Sequence, residues 1–187
     1  MFPDLTWTRI ASGKPMVEAF NNPIPEHLRL AALAAFPEPS WPHWHKYDNG
    51  KQATVDELRI PPACRFAIQQ LAVAVEPRQG FYDFGCYGAG LHLMPPGTAL
   101  GTHTDATHHP LQPWKRLESL VYFLDTCEGG ELIVEGKRIA AEAGNAVRFQ
   151  ANRQHEVLTT RTTRRTLSLF VWEIDDGTKT STRAEFE

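Results

Sequence analysis

The chain has 187 residues, of which 42% are hydrophobic and 22% charged, a balance typical of one globular domain with a sizeable core. A net charge of -3 gives no basic excess for nucleic acid, which argues against that partner without excluding a local basic patch. The three lone cysteines, the absence of a signal-peptide pattern and the absence of a long apolar run predict a cytoplasmic protein outside the membrane.

The first part of the chain predicts two helices. Residues 1–22 are typical of a strand and loop, and 23–36 predict a helix that begins near Pro25. The segment 36–52 is rich in proline and aromatic residues and is interpreted as an ordered loop. A second helix is expected over 61–75, where two prolines open an apolar pattern.

After Glu76 the pattern changes to short β-like runs separated by Gly, Pro and Asn turns. These runs favour a mainly β (α+β) fold, a double-stranded β-helix or jelly-roll barrel buttressed by the N-terminal helices. We expect a single domain over 1–187, with helical support over about 1–80 and the barrel core over about 81–175. The predicted strands are 86–94, 98–103, 117–125, 130–135, 137–141, 145–150, 154–160 and 165–173.

Three side chains form a candidate metal site. His103 and Asp105 are two residues apart, which on an extended strand places them on one face. His155 follows fifty residues after Asp105, near the start of a late strand. Two imidazoles and one carboxylate make the facial triad that binds non-haem iron(II) and leaves adjacent coordination positions open.

Two arginines follow the triad at the start of an apolar strand. Arg164 and Arg165 lie nine and ten residues beyond His155. A guanidinium at the inner end of a barrel strand needs an anion, because an uncompensated buried charge is strongly destabilising. A dicarboxylic co-substrate, one end on iron and the other on arginine, satisfies this requirement.

Together with these residues, the order of motifs resembles the 2-oxoglutarate/iron(II)-dependent dioxygenases, in the branch that includes the prolyl 4-hydroxylases. The resemblance covers about residues 85–173 and implies an enzyme that uses Fe(II), 2-oxoglutarate and O2. The motifs that carry it are His103-Thr104-Asp105, Gly129-Gly130-Glu131-Leu132, Ala143 to Phe149, His155-Glu156-Val157 and Arg164 to Phe170.

The resemblance also implies roles for single residues. The iron ligands would be His103, Asp105 and His155. Arg164 fits the family's co-substrate arginine best, with Thr166 and Phe170 at the expected offsets, and Arg165 is the alternative because ten-residue spacing also occurs. Ser119 is expected to line the co-substrate pocket, with Tyr122 as the alternative from the opposite face. Leu93 stands where the family often has a tyrosine.

The substrate class stays open at this point. A small molecule such as an amino acid, or peptidyl proline, is favoured over a modified nucleobase, and the oligomeric state is not indicated. A cupin-like metalloprotein with another reaction and a non-catalytic binding domain are the alternatives. Substrate contacts are expected from the loops at 39–52, 76–90 and 106–116. His108 and His109 could compete as metal ligands but are interpreted as part of a loop over the site.

Overall fold

The computed structural model describes residues 17–47, 50–54, 59–85 and 87–175. The part of the predicted opening strand and loop that precedes residue 17 therefore lies outside the described residues, as does Cys86. The two predicted helices are present as α1 (Glu26–Ala34) and α2 (Pro62–Ala74). Each follows a proline at its N-cap, where the missing N–H is not needed for helical hydrogen bonding. Neither helix, at 9 and 13 residues, could cross a bilayer, which takes about 20 apolar residues.

The strands form two antiparallel sheets. Their bounds are β1 Val17–Asn21, β2 His45–Tyr47, β3 Gly50–Thr54, β4 Phe81–Tyr82, β5 Ala89–Met94, β6 Leu100–His103, β7 Trp114–Phe123, β8 Leu132–Val134, β9 Lys137–Ile139, β10 Asn145–Gln150, β11 His155–Val157 and β12 Arg164–Ile174. The large sheet has the order β1-β10-β7-β12-β5-β3-β2, with β4 paired to β12, and the small sheet has the order β6-β11-β8-β9.

Strands β5 to β12 correspond to the eight predicted runs, and they divide between the two sheets as a double-stranded β-helix does. The predicted fold class is therefore confirmed, although the strand pairings of the described residues do not join the two sheets into a closed barrel. Helices α1 and α2 pack on the outer face of the large sheet, against the side chains of β5, β7 and β12.

The interpretation of 36–52 as a loop is wrong for its second half. Strands β2 and β3 form a hairpin, and β3 pairs with β5 at the edge of the large sheet. The two residues between the strands, 48–49, lie outside the described residues, but the sequence there includes Asn49-Gly50, a dipeptide that favours tight hairpin turns. The aromatic residues before it obscured this signal.

Alternation along the central strands separates two cores. Leu91, Leu167 and Leu169 face the helices, whereas Met94 and Phe123 lie in a second core between the two sheets. A side chain on the inner face of β5, β7 or β12 therefore points toward the small sheet, where the candidate site lies.

Candidate metal and co-substrate site

The predicted triad comes together at the edge of the small sheet. His103 is the last residue of β6 and His155 is the first residue of β11, and the two are antiparallel partners. Asp105 lies two residues beyond β6, where its backbone N–H donates to the Ala151 carbonyl at 3.1 Å. One ligand atom from each of the three side chains lies within 4.8 Å of the others. This spacing allows a single metal ion to contact all three.

Backbone hydrogen bonds orient both imidazoles for metal binding. Nδ1 of His103 lies 2.8 Å from the Gly101 carbonyl, and Nδ1 of His155 lies 3.0 Å from the Arg153 carbonyl. A carbonyl can only accept, so each ring carries its proton on Nδ1 and leaves Nε2 as the free ligand atom. Burial lowers the pKa of His155 and so favours the neutral form that binds metal.

Asp105 is held from the side away from the histidines. The Ser119 hydroxyl donates to Oδ2, and Nη1 of Arg116 lies 3.8 Å from the same oxygen. The other oxygen, Oδ1, faces Nε2 of His155 at 3.6 Å. Hydrogen bonds to a metal-binding carboxylate fix its rotamer, so Ser119 prepares Asp105 to present Oδ1 to the metal.

Arg164 lies deep in the same cavity. Its side chain is buried, its Nε donates to the Gly130 carbonyl at 3.1 Å, and its guanidinium carbon lies 5.1 Å from the centre of the Phe123 ring. Gly130 has a φ of +65°, and an added Cβ would lie 3.1 Å from Cδ of Arg164, so glycine both makes the turn and leaves room for the arginine.

Within the described residues Arg164 forms no ion pair with a carboxylate. Burial lowers its pKa to about 10, which still leaves the guanidinium charged at neutral pH. A buried cation of this kind is costly unless an anion is bound beside it.

The remaining predicted residues lie on different faces of their strands, and only some of them line the cavity. Ser119 lines the cavity, whereas Tyr122 points into the core beneath the helices and does not line it. Arg165 lies outside the cavity and pairs with Asp125, with Nη1 2.6 Å from Oδ2. Leu93 also faces the helices, and its neighbours His92 and Met94 line the cavity instead.

The histidines that could have competed as ligands lie elsewhere. The His108 side chain is 71% exposed and lies 4.0 Å from Asp175. His109 is buried, but it packs edge-on against Tyr87, Trp114 and Trp172, and its Nδ1 accepts from the Leu111 N–H. Both belong to the loop between β6 and β7, as the sequence predicts.

The cavity has a volume of about 320 Å³, and its walls come from both sheets. Arg164 contacts Phe123 and Arg116 contacts Phe170, two rings that lie at different positions along the inner face of the large sheet. Apolar side chains make up much of the remaining wall: Leu100, Val121, Leu132, Phe149 and Val157.

His92 and Arg116 also line the cavity, although the sequence favoured a surface or core position for His92 over a position in the pocket and singled out no role for Arg116. His92 lies 2.8 Å from the Ser168 hydroxyl through Nε2, and burial lowers its pKa to about 4, so the ring is neutral. The alternation of β5 could have identified His92, because Leu91 and Leu93 are core residues. Arg116 could not be found by alternation, because a bulge in β7 changes its face.

A family model described as the 2OG-Fe(II) oxygenase superfamily matches residues 89–172. Over this span, somewhat less than half of its length, the chain is similar to that superfamily. The matched span begins at β5 and ends within β12, so it includes the triad and Arg164. A search of curated proteins finds no significant match.

Solved structures with the same fold include two prolyl hydroxylases. A Pseudomonas putida prolyl-4-hydroxylase is 22% identical, with 83% of this chain and 92% of that chain covered and a TM-score of 0.63. A Trichoplax adhaerens prolyl hydroxylase, in complex with a hypoxia inducible factor peptide fragment, is 18% identical, with 89% and 88% covered and a TM-score of 0.61.

The fold also occurs with a different reaction. The alpha ketoglutarate dependent epimerase SnoN from nogalamycin biosynthesis is 13% identical, with 92% of this chain and 88% of that chain covered and a TM-score of 0.62. At these identities the likeness shows the fold, and the reaction of this chain has to be argued from its own residues.

Similarity to this superfamily implies Fe(II), 2-oxoglutarate and O2 as the cofactor and co-substrates. The donor set of this chain fits the metal, because two neutral imidazoles and one carboxylate are the facial ligands of non-haem iron(II). The cavity also fits the co-substrate, because Arg164 offers a buried cation in the same space as the triad.

Proposed function

We propose that this chain is an iron(II)- and 2-oxoglutarate-dependent hydroxylase. His103, Asp105 and His155 hold the iron, and Arg164 binds the distal carboxylate of 2-oxoglutarate. The observation that supports this most is the pairing, within one cavity, of a ligand triad with a buried arginine that no described carboxylate neutralises. A dicarboxylate that spans from the metal to Arg164 would coordinate the metal at one end and pair with the guanidinium at the other.

The chemistry that the metal supplies, with 2-oxoglutarate and dioxygen bound, is oxidative decarboxylation of the co-substrate to succinate and carbon dioxide, coupled to conversion of a substrate C–H group to an alcohol. The chain contributes geometry. The backbone contacts of the two histidines fix their free Nε2 atoms on one side, and Ser119 fixes the carboxylate of Asp105. Three ligands on one face leave the opposite positions for the reactants.

The apolar wall has a second role in this proposal. Val121, Leu132 and Val157 lie around the space between the triad and Arg164, where the carbon chain of the co-substrate would run. Excluding water there strengthens the contact between the carboxylate and Arg164, because charges interact more strongly in a medium of low polarity. It also protects the oxidising step from side reactions with solvent.

The prime substrate is proposed to be an amino acid, a peptidyl proline or another small molecule rather than a nucleic acid. Prolyl hydroxylases are among the structures that share the fold, and one of them binds a peptide. The cytoplasmic location stays a prediction from the isolated cysteines.

An anaerobic titration tests the proposed function without knowledge of the prime substrate. Iron(II) and then 2-oxoglutarate are added to the metal-free protein, and the visible metal-to-ligand charge-transfer band is recorded. We expect the band in the wild type and its loss in Asp105→Ala. Folded, iron-loaded protein that gives no band would contradict the proposal and favour a cupin-like or non-catalytic role.

A further inference from the structure

Arg116 is a second buried cation in the cavity, and it lies beside Asp105. About 10% of its side chain is exposed, and its guanidinium stacks on Phe170, with 3.8 Å from the guanidinium carbon to the ring centre. Trp172 lies at 4.8 Å from the same carbon. The two rings hold the guanidinium in a fixed position at the cavity wall, so its donors are already oriented.

The hydrogen-bonding capacity of Arg116 is left unused by the described residues. A guanidinium has five N–H donors. Its one ion pair is with Asp105 at 3.8 Å, which is longer than a hydrogen bond, and its Nε is buried without a partner among the described residues. Asp105 is also one of the proposed metal ligands, so its negative charge would be shared with iron(II). An additional acceptor is therefore needed beside Arg116.

The charges in the cavity favour an anion as this acceptor. Asp105 carries one negative charge, and Arg164 and Arg116 carry one positive charge each, while His92 is neutral. The two positive charges of iron(II) and the two negative charges of the 2-oxoglutarate dianion cancel. The loaded cavity therefore keeps one net positive charge, located near Arg116, because Arg164 is matched by the co-substrate. One monoanion would neutralise it.

The size of the cavity favours a small anion. About 320 Å³ is at the lower end of the range for ligand pockets, roughly 300–1,000 Å³, and part of it is needed for 2-oxoglutarate. The space that remains suits a molecule about the size of an amino acid. Because carboxylate and guanidinium form two parallel hydrogen bonds, a carboxylate is the anion that best matches the flat group of Arg116.

We propose that Arg116 binds a free carboxylate of the prime substrate, so that the substrate is a free amino acid rather than a residue inside a peptide. This inference rests on the proposed function. The carboxylate would lie on Arg116 and Phe170, and a C–H group a few bonds away would face the triad. A neutral amide in place of the carboxylate would leave the buried cation unmatched, and such a site rejects the neutral analogue strongly.

The test uses the anaerobic complex with iron(II) and 2-oxoglutarate, and binding is read from perturbation of the charge-transfer band and from calorimetry rather than from turnover. The probes are the free L-amino acids, their C-terminal amides and a proline-containing peptide with blocked ends. We expect at least one free acid to bind, and its amide to bind at least ten-fold more weakly.

Three variants assign the effect to Arg116. Arg116→Met keeps the stacking volume without the charge and should weaken the acid at least ten-fold, with the iron and 2-oxoglutarate affinities retained. Arg116→Lys should recover part of the loss. Lys115→Met removes the neighbouring cation, which is exposed and outside the triad cavity, and should behave as the wild type.

Equal binding of acid and amide, tighter binding of the blocked peptide, or no binding of any acid would overturn the inference. Loss of iron from Arg116→Met would also overturn it, because Arg116 would then serve to position Asp105. In each of these cases the wild-type charge-transfer band still supports the proposed function. Absence of that band in the wild type would instead contradict the proposed function, and the inference with it.

Discussion

Arg164 and Arg165 are consecutive residues of β12, yet their guanidinium groups lie on opposite faces of the strand. Arg164 points into the space between the two sheets, and Arg165 points outward to Asp125. Alternation along an extended strand requires this difference. The sequence pattern favoured Arg164 and left Arg165 as the alternative, and the structure brings Arg164 together with the triad.

This difference predicts unequal effects of two matched substitutions. Arg164→Met should weaken 2-oxoglutarate at least ten-fold, because the distal carboxylate loses its counter-charge, while iron affinity should stay within about two-fold of the wild type. Arg165→Met should change neither affinity and should cost no more than about 1 kcal/mol of unfolding free energy, since it removes a partly exposed ion pair. Titration of the charge-transfer band measures the iron and 2-oxoglutarate affinities of both variants. The reverse order of effects would assign the co-substrate to Arg165.

Removal of a triad ligand should abolish iron binding without unfolding the chain. His103→Ala and His155→Ala each remove one of three ligands at strand ends, and neither residue is part of the apolar core clusters. We expect metal analysis to show little retained iron(II) and denaturant unfolding to stay cooperative. His108→Ala, in the neighbouring exposed loop, is the control and should keep full iron binding. Full metal-dependent turnover in either triad variant would contradict the assignment.

Ser119 and Tyr122 should respond differently to loss of their hydroxyl groups. Ser119→Ala removes the donor to Asp105 and should weaken iron binding, because the hydrogen-bond partners of metal ligands typically account for about 10–100-fold in metal affinity. Tyr122 Oη is buried without a hydrogen-bond partner among the described residues. Tyr122→Phe should therefore leave iron and 2-oxoglutarate binding unchanged and keep or raise stability, by up to about 1–2 kcal/mol. A large loss of co-substrate affinity in Tyr122→Phe would show that its side chain reaches the cavity.

His92 should make the metal-free protein sensitive to acid. Burial lowers its pKa from 6.5 to about 4, and the cations Arg164 and Arg116 act in the same direction against the opposing charge of Asp105. Because the unfolded chain takes up this proton first, the free energy of unfolding should fall as the pH drops from about 6.5 to about 4.

The measurement is denaturant unfolding of metal-free wild type and His92→Gln at several pH values in that range. The variant should lose less stability over the range, by at most about 3 kcal/mol, since one pKa unit corresponds to about 1.4 kcal/mol. His155 contributes in the same direction to both proteins and cancels in the comparison. A slope for His92→Gln identical to that of the wild type would contradict the burial argument.

The sequence predicted the eight strands and the triad because their signals are local. Each strand is a short apolar run between turn residues, and His103 and Asp105 share a short motif. The hairpin β2–β3 was missed because prolines and aromatic residues precede its turn. Arg116 was missed for a different reason.

Along β7, regular alternation from Ser119 would place Leu117 on the cavity face and Arg116 on the other. The register between β12 and β7 shifts after Val171, so that Trp172 pairs with Arg116. This shift brings Arg116 onto the face of Ser119. A bulge depends on how two distant strands meet, and no pattern within one strand reveals it.

The six residues between β11 and β12 bear on where the chain can accept an inserted or deleted residue. This connection, 158–163, joins the strand that begins at His155 to the strand that begins at Arg164, and a loop can gain or lose a residue more readily than a paired strand. What must be preserved is which face of β12 the arginine occupies, opposite Met94 and toward Phe123. An insertion at the exposed positions 161–162 should therefore be tolerated better than one beside the buried, hydrogen-bonded Thr160, whereas an insertion inside β12 would exchange its two faces. Natural relatives and designed variants can differ in histidine-to-arginine spacing and still place the same guanidinium in the cavity.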